Sequence, residues 1–213
     1  MLDKKIIKFV GFDLDQTLYE DNAGTHNAYR STLYRLLAKE LGIGLDKAEK
    51  EFKKLYKVLG SGTEVARVMG VKNPEMLSAK VSNLSNMHKY IKRDEKLVKL
   101  IEYLDEKYEL FLITASAKKS SGLKLEKLGF GMGVFKHAIC SGTKGWGKTT
   151  GKSFSRLLKL TKARPREHVF VGDRDVTDIL PAKRAGMQTV MVWGRSKNAD
   201  LSIKTIYELE NYL

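Results

Sequence analysis

Apolar and polar positions along this chain follow two rhythms. Residues 6–12 carry Ile6, Ile7, Phe9, Val10 and Phe12 in a run of strand length. From about residue 19 to 93 the spacing turns helical. Tyr29, Leu33, Leu36, Leu37 and Leu41 make one stripe, and Leu45, Ala48, Phe52, Leu55 and Leu59 make a second. Met76, Leu77, Val81 and Leu84 make a third, and Gly60-Ser61-Gly62 punctuates the stretch. No strand pattern interrupts it. From Asp94 onward, helices and strands alternate. Leu97, Leu100, Ile101 and Leu104 predict a helix, residues 110–113 a strand, and Leu123 with Leu128 a helix. Residues 137–140 follow as a strand, Phe154, Leu157 and Leu158 as a helix, 169–171 as a strand, 179–185 as a helix and 189–193 as a strand. A last helix is expected to end the chain. Alternating buried strands and helices predict an α/β protein whose parallel sheet is covered on both faces. Ligands bind such sheets at the carboxyl ends of their strands.

Composition narrows the class. The chain has 213 residues, 42% of them hydrophobic, enough for a full core. It has no apolar stretch near the roughly 18 residues of a membrane helix, so no membrane partner is expected. Met1-Leu2-Asp3-Lys4-Lys5 carries no signal-peptide pattern, and the single cysteine, Cys140, excludes an internal disulfide framework. Both suit the cytoplasm. The net charge of +14, from 39 basic and 25 acidic residues, raises nucleic acid as a partner. The lysines are scattered along amphipathic segments, which argues against nucleic acid and for a solvated surface that draws in an anionic small molecule. Two glutamines and one cysteine beside 30% charged residues also resemble a heat-adapted composition.

The chemistry sits where the strands end. Asp13 and Asp15 follow the first strand, two residues apart, where carboxylates repel each other and lose hydration. Thr114 and Ser116 follow Ile113. Gly172-Asp173-Arg174-Asp175-Val176-Thr177-Asp178 follows Val171, with Gly172 expected to let the backbone turn sharply. Lys148 lies in a Gly- and Thr-rich turn and brings positive charge to the same edge. Clustered carboxylates call for a cation, and hard oxygen ligands suit Mg²⁺ better than zinc. A carboxylate nucleophile beside Mg²⁺, a lysine and a hydroxyl is a set for phosphoryl transfer, in which a second carboxylate moves the proton.

These motifs, in this order, resemble those of the haloacid dehalogenase-like superfamily, specifically its phosphatases with a helical cap. They are Asp13-Leu14-Asp15-Gln16-Thr17, Thr114, Lys148, and Gly172-Asp173 with Asp178. The resemblance covers essentially the whole chain. It implies a Rossmann-like parallel-sheet core over residues 1–18 and 94–213, with an inserted all-helical cap domain at 19–93. It implies Asp13 as the nucleophile that forms an aspartyl-phosphate and Asp15 as the general acid/base. Thr114, the Ala115 backbone amide and Lys148 would hold the phosphoryl group, with Lys152 the competing lysine. Mg²⁺ would be bound by the Asp13 carboxylate, the Asp15 backbone carbonyl and Asp173, and Asp178 would orient the metal or Lys148. Ala115 and Thr177 stand where relatives often carry Asn. Dehalogenases on this scaffold generally lack an acid at the position of Asp15, so its presence favours phosphate esters over 2-haloacids. Small soluble phosphates such as phosphoglycolate, sugar phosphates or nucleoside monophosphates are the implied substrates, for a monomer or homodimer. The run Asp-Leu-Asp-Gln-Thr-Leu-Tyr mildly resembles the pyrimidine-nucleotidase-like group.

A second pattern competes. Gly142-Thr143-Lys144-Gly145-Trp146-Gly147-Lys148-Thr149 fits the Walker A motif of a P-loop kinase or NTPase. Only 65 residues follow Lys148, too few for most of such a core, and the reading leaves Asp13, Asp15 and Thr114 without roles. His26, His88, His137 and His168 lack the mutual spacing of a metal site and read as ordinary surface or core residues. Cys140 reads as a small core residue, and Asp175 with Arg174 as a solvated surface pair. Tyr19, Glu20 and Asn22 lie at the start of the helical stretch, open to a hinge or a substrate-contact role.

Overall fold

In the computed structural model, residues 2–142 and 146–213 are described. Six parallel strands, β1 (Phe9–Phe12), β2 (Glu109–Ala117), β3 (His137–Ser141), β4 (His168–Gly172), β5 (Gln188–Val192) and β6 (Leu201–Ile203), form one sheet in the order β3-β2-β1-β4-β5-β6. The period of two sorts their side chains. Val10, Phe12, Leu110, Leu112, Val169 and Val171 enter one core cluster with Leu97, Ile101 and Leu104 of helix α5 (Glu95–Asp105). Phe9, Phe111, Ile113 and Phe170 enter the other, with Phe154 and Leu157 of helix α7 (Lys152–Thr161). Both faces are buried, which is why these strands read as continuous apolar runs.

Between β1 and α5 lie four helices: α1 (Ala23–Leu41), α2 (Leu45–Leu59), α3 (Gly62–Val68) and α4 (Pro74–Leu84). Asn22 caps α1 by accepting from the Gly24 and Thr25 amides. Gly60, at φ +62°, ends α2 in the left-handed conformation that glycine adopts without strain. The predicted stripes meet in a third apolar cluster of their own, with Leu33, Leu37, Phe52, Val65, Leu77 and Val81. The segment touches the sheet edge at named points. Ser82 Oγ accepts from the Ala117 amide at 3.2 Å, and Thr149 Oγ1 donates to Glu64 Oε1 at 2.8 Å. Among the described residues, no helix is long and apolar enough to cross a membrane.

Several elements differ from the sequence reading. The first strand starts at Phe9, because residues 4–6 form a turn in which the Ile6 amide donates to the Asp3 carbonyl. β2 runs on to Ala117 through a register shift after Thr114. The expected last helix is replaced by β6 and a 3₁₀ turn over Ile206–Asn211. Ile206 and Leu209 are three apart, the spacing that eclipses in a 3₁₀ helix, and both are buried. The helix expected at 179–185 opens as a π turn over Asp175–Ile179 before α8 (Leu180–Arg184), and Pro181 in its first turn has no amide to contribute.

Glu167 locks the entry to β4. It accepts from Lys8 Nζ and from the Arg164 amide, each at 2.7 Å. The Lys8 hydrogen bond, then the Arg164 amide, hold its carboxyl down at about 2. A depressed carboxyl contributes stability above its unfolded value of 4.5 and loses it as pH falls through its folded value. Glu167→Gln is therefore expected to lower the unfolding midpoint at about pH 7, with the deficit shrinking at about pH 3. Urea unfolding of both proteins at the two pH values checks this.

Candidate active site

The sheet brings three strand ends together. The Asp13 amide donates to the Val171 carbonyl at 2.9 Å, extending the β1–β4 ladder by one residue and aligning Asp13 with the end of β4. Asp173 follows β4 directly. Asp178 is delivered by the π turn, where its amide and that of Ile179 both donate to the Arg174 carbonyl. Gly172 has no positive φ, so the expected sharp turn is not its role. A Cβ there would lie 2.4 Å from Asp178 Cβ, so glycine is needed for close approach.

Lys148 is buried at the centre. Its Nζ lies 2.6 Å from Asp13 Oδ1 and 2.5 Å from Asp178 Oδ1. The second contact is close but poorly aligned for a hydrogen bond, leaving Asp178 Oδ1 and Asp13 Oδ2 as buried oxygens without a hydrogen-bond partner. Lys152, the competing lysine, is exposed on α7. Carboxylate oxygens of Asp13, Asp173 and Asp178 lie within 4.8 Å of one another, the group among the described residues that could hold a metal ion. Burial raises Asp13 to about 7, against the lowering pull of Lys148, and Asp178 and Asp173 add to the rise. Burial likewise raises Asp173 to about 6, against Arg174. Two acids sharing one lysine, a third acid beside them and orphaned carboxylate oxygens are what a bound divalent cation would relieve. Thr17 Oγ1 donates to Asp173 Oδ1 at 3.3 Å.

Asp15 is held apart from this group. Its Oδ1 accepts from Tyr19 Oη and Lys124 Nζ, and its Oδ2 from Ser116 Oγ, each at 2.5 Å. Burial raises the carboxyl, but the Lys124 charge and these hydrogen bonds outweigh it and leave it below its ordinary value. Thr114 lies within β2 and is fully buried, with Oγ1 accepting from the Ser116 amide at 3.1 Å. Its neighbours Ala115 and Ser116 face the cavity instead.

That cavity holds about 120 Å³ between the strand ends and the helices. Asp15, Ala115, Lys148, Arg174 and Thr177 line the sheet side, with Arg30, Tyr29, Tyr56 and His26 opposite. Asp13 and Asp173 are not in the lining and touch it through Lys148 and Arg174. Arg30 lies over the rings of Tyr56 and Phe52, at 4.8 and 5.4 Å.

Sequence reasoning missed or misplaced several of these groups. Arg174 does not pair with Asp175. Its Nε lies 3.4 Å from Asp173 Oδ2 and its Nη1 donates to Tyr56 Oη, whereas Asp175 accepts from Ser196 Oγ. Lys124 carries no sequence signal of a site residue, and His26 lines the cavity. His168 is a core residue stacked on Phe9 at 4.4 Å, and Cys140 is buried. Of the Walker-like stretch, Thr143, Lys144 and Gly145 lie outside the described residues. The Lys148 amine is engaged by the Asp13 and Asp178 carboxylates at the strand ends.

A family profile of haloacid dehalogenase-like hydrolases matches residues 10–192. Glyceraldehyde 3-phosphate phosphatase of Pyrococcus abyssi is 30% identical over 193 residues, covering 87% of this chain and 81% of that protein. Its namesake in Methanocaldococcus jannaschii is 29% identical over 219 residues, covering 96% of each. The crystal structure of a HAD phosphatase from Thermococcus onnurineus superimposes with a TM-score of 0.67 at 25% identity, covering 97% of each chain.

Proposed function

This chain belongs to the haloacid dehalogenase-like hydrolases, and we propose that it is a Mg²⁺-dependent phosphatase that cleaves a small phosphate ester through an aspartyl-phosphate. The observation that carries the reading is the division of two carboxylates between two lysines. Asp13 is paired with Lys148 beside Asp173 and Asp178, and Asp15 is paired with Lys124 at the cavity wall. Asp13 attacks phosphorus, and Lys148 offsets charge on the transferring oxygens. Asp15, entering the step protonated, gives that proton to the departing alcohol and recovers one from the water that cleaves the aspartyl-phosphate. Thr114 and Ala115 shape the phosphate end of the site from β2. The Asp13 and Asp173 carboxylates and the Asp15 backbone carbonyl, together with Asp178, would hold magnesium, which would supply further positive charge to the transferring phosphoryl group.

Asp13 is 2% exposed, so access to it requires a motion. Residues 19–93 act as the cap, opening to admit the ester and closing to exclude water. The Arg174–Tyr56 contact joins core to cap and breaks on opening. The small cavity favours a few-carbon ester over a nucleotide. Glyceraldehyde 3-phosphate, named for the relatives, is the leading substrate. A single buried thiol, Cys140, suits a reducing compartment such as the cytoplasm.

The test is hydrolysis of glyceraldehyde 3-phosphate and p-nitrophenyl phosphate with Mg²⁺ and with EDTA. Phosphate release that EDTA abolishes and Mg²⁺ restores is expected. Turnover indifferent to EDTA removes the metal from the reading, and halide release from 2-haloacids in place of phosphate release overturns it.

A further inference from the structure

We propose that Lys124 is the positioning residue that fixes the Asp15 carboxylate for proton transfer. Lysine is almost never fully buried unless paired, yet Lys124 has no exposed surface. It lies on helix α6 (Lys118–Leu128) among the buried Ser120, Ser121, Leu125 and Leu128. An apolar residue would fill that position without the desolvation of a charge, which costs several kcal/mol per ion.

The lysine ends on the acid. Lys124 Nζ lies 2.5 Å from Asp15 Oδ1 and 2.7 Å from Ser116 Oγ, and Ser116 Oγ donates to Asp15 Oδ2. Tyr19 donates to Oδ1 from the linker after β1. Donors from three separate elements therefore engage both oxygens, which fixes the plane of the carboxylate and not merely its distance. Lys124 is not among the cavity-lining residues, but its two polar contacts, Asp15 and Ser116, are, so Lys124 acts on a bound ester through those two side chains. Among the described residues the buried lysines are Lys124 and Lys148, and each holds one acid of the Asp13/Asp15 pair. The two carboxylates are thus kept in place by different cations.

The proposal rests on the phosphatase reading, and a double-mutant cycle read on two esters tests it. Lys124→Met, Asp15→Asn and the double variant are assayed with glyceraldehyde 3-phosphate and with p-nitrophenyl phosphate, whose phenolate departs without proton donation. Lys124→Met is expected to lower kcat on the alkyl ester by about 10–100-fold with KM within about twofold, and to lose clearly less on the aryl ester. In the Asp15→Asn background the same change is expected to cost less than about twofold. Lys124→Gln keeps a donor on a neutral side chain, and the same two readouts are taken on it if the Met variant does not fold. Losses that multiply in both backgrounds, or that are equal on both esters, or no loss, overturn the proposal while leaving the phosphatase reading intact. An unaltered protein that hydrolyses neither ester overturns both.

Discussion

Asp13→Asn is expected to abolish ester hydrolysis, by at least about 10⁴-fold in kcat, in a protein that remains folded. The carboxamide cannot form an aspartyl-phosphate, and Asp15 is tied to Lys124, Ser116 and Tyr19 and cannot replace it. The fold has reason to tolerate the change. Burial raises the Asp13 carboxyl to about 7 despite Lys148. A group whose folded pKa lies above its unfolded 3.8 gives its full stabilisation below that value and loses it as pH rises through about 7. Without metal at about pH 8, the ionised Asp13 is thus a cost that asparagine removes, while Lys148 keeps Asp178 as a partner. In EDTA the unaltered protein should melt lower at about pH 8 than at about pH 5, and the variant should show a flatter profile. Calorimetry at the two pH values, with phosphate release from p-nitrophenyl phosphate, covers both arms. Activity above about one part in a hundred assigns the nucleophile elsewhere.

What could be read in the sequence depended on how unusual a residue is for its surroundings. β1, β2 and β4 stood out because strands buried on both faces become unbroken apolar runs. The stripes of α1, α2 and α4 stood out because a separate apolar cluster needs its own periodicity. Asp13 and Asp15 were legible because acids at the end of a buried strand demand a reason. Lys124 was not. In a helix reading Lys-Lys-Ser-Ser-Gly-Leu-Lys-Leu, a lysine looks like part of the solvated face, and Leu123 looks like core. The chain instead leaves Leu123 half-buried and turns Lys124 inward, because the partner it needs is 109 positions away. Arg174 misled in the same way. Its adjacent acid, Asp175, suggested a local pair, but the π turn sends the two side chains to different partners. Spacing encodes local geometry, and these contacts exist only once the strands have been brought side by side.

Gly172→Ala is expected to damage both stability and catalysis through one clash. The glycine ends β4 with an ordinary φ, so alanine meets no backbone penalty. The new methyl would lie 2.4 Å from Asp178 Cβ and 2.6 Å from its Cγ, so one of them must move. Asp178 is not free to swing. Its Oδ2 accepts from the Arg174 amide at 3.0 Å and from Thr177 Oγ1 at 3.1 Å, and its backbone is set by the π turn ahead of Pro181. Overpacking of this kind costs about 1–3 kcal/mol. The displacement then travels by contact, since Asp178 holds Lys148 and Lys148 holds Asp13. A shift of about 1 Å at the nucleophile is worth about 10²-fold in rate. The variant should therefore show kcat lower by about 10²-fold together with an unfolding midpoint lower by a few degrees. Gly122→Ala is the contrast. It lies inside α6 with nothing within 4 Å of its would-be Cβ, and alanine there should hold or raise stability and leave kcat unchanged. If Gly172→Ala melts lower but keeps full kcat, the Asp178–Lys148–Asp13 chain does not set the position of the nucleophile.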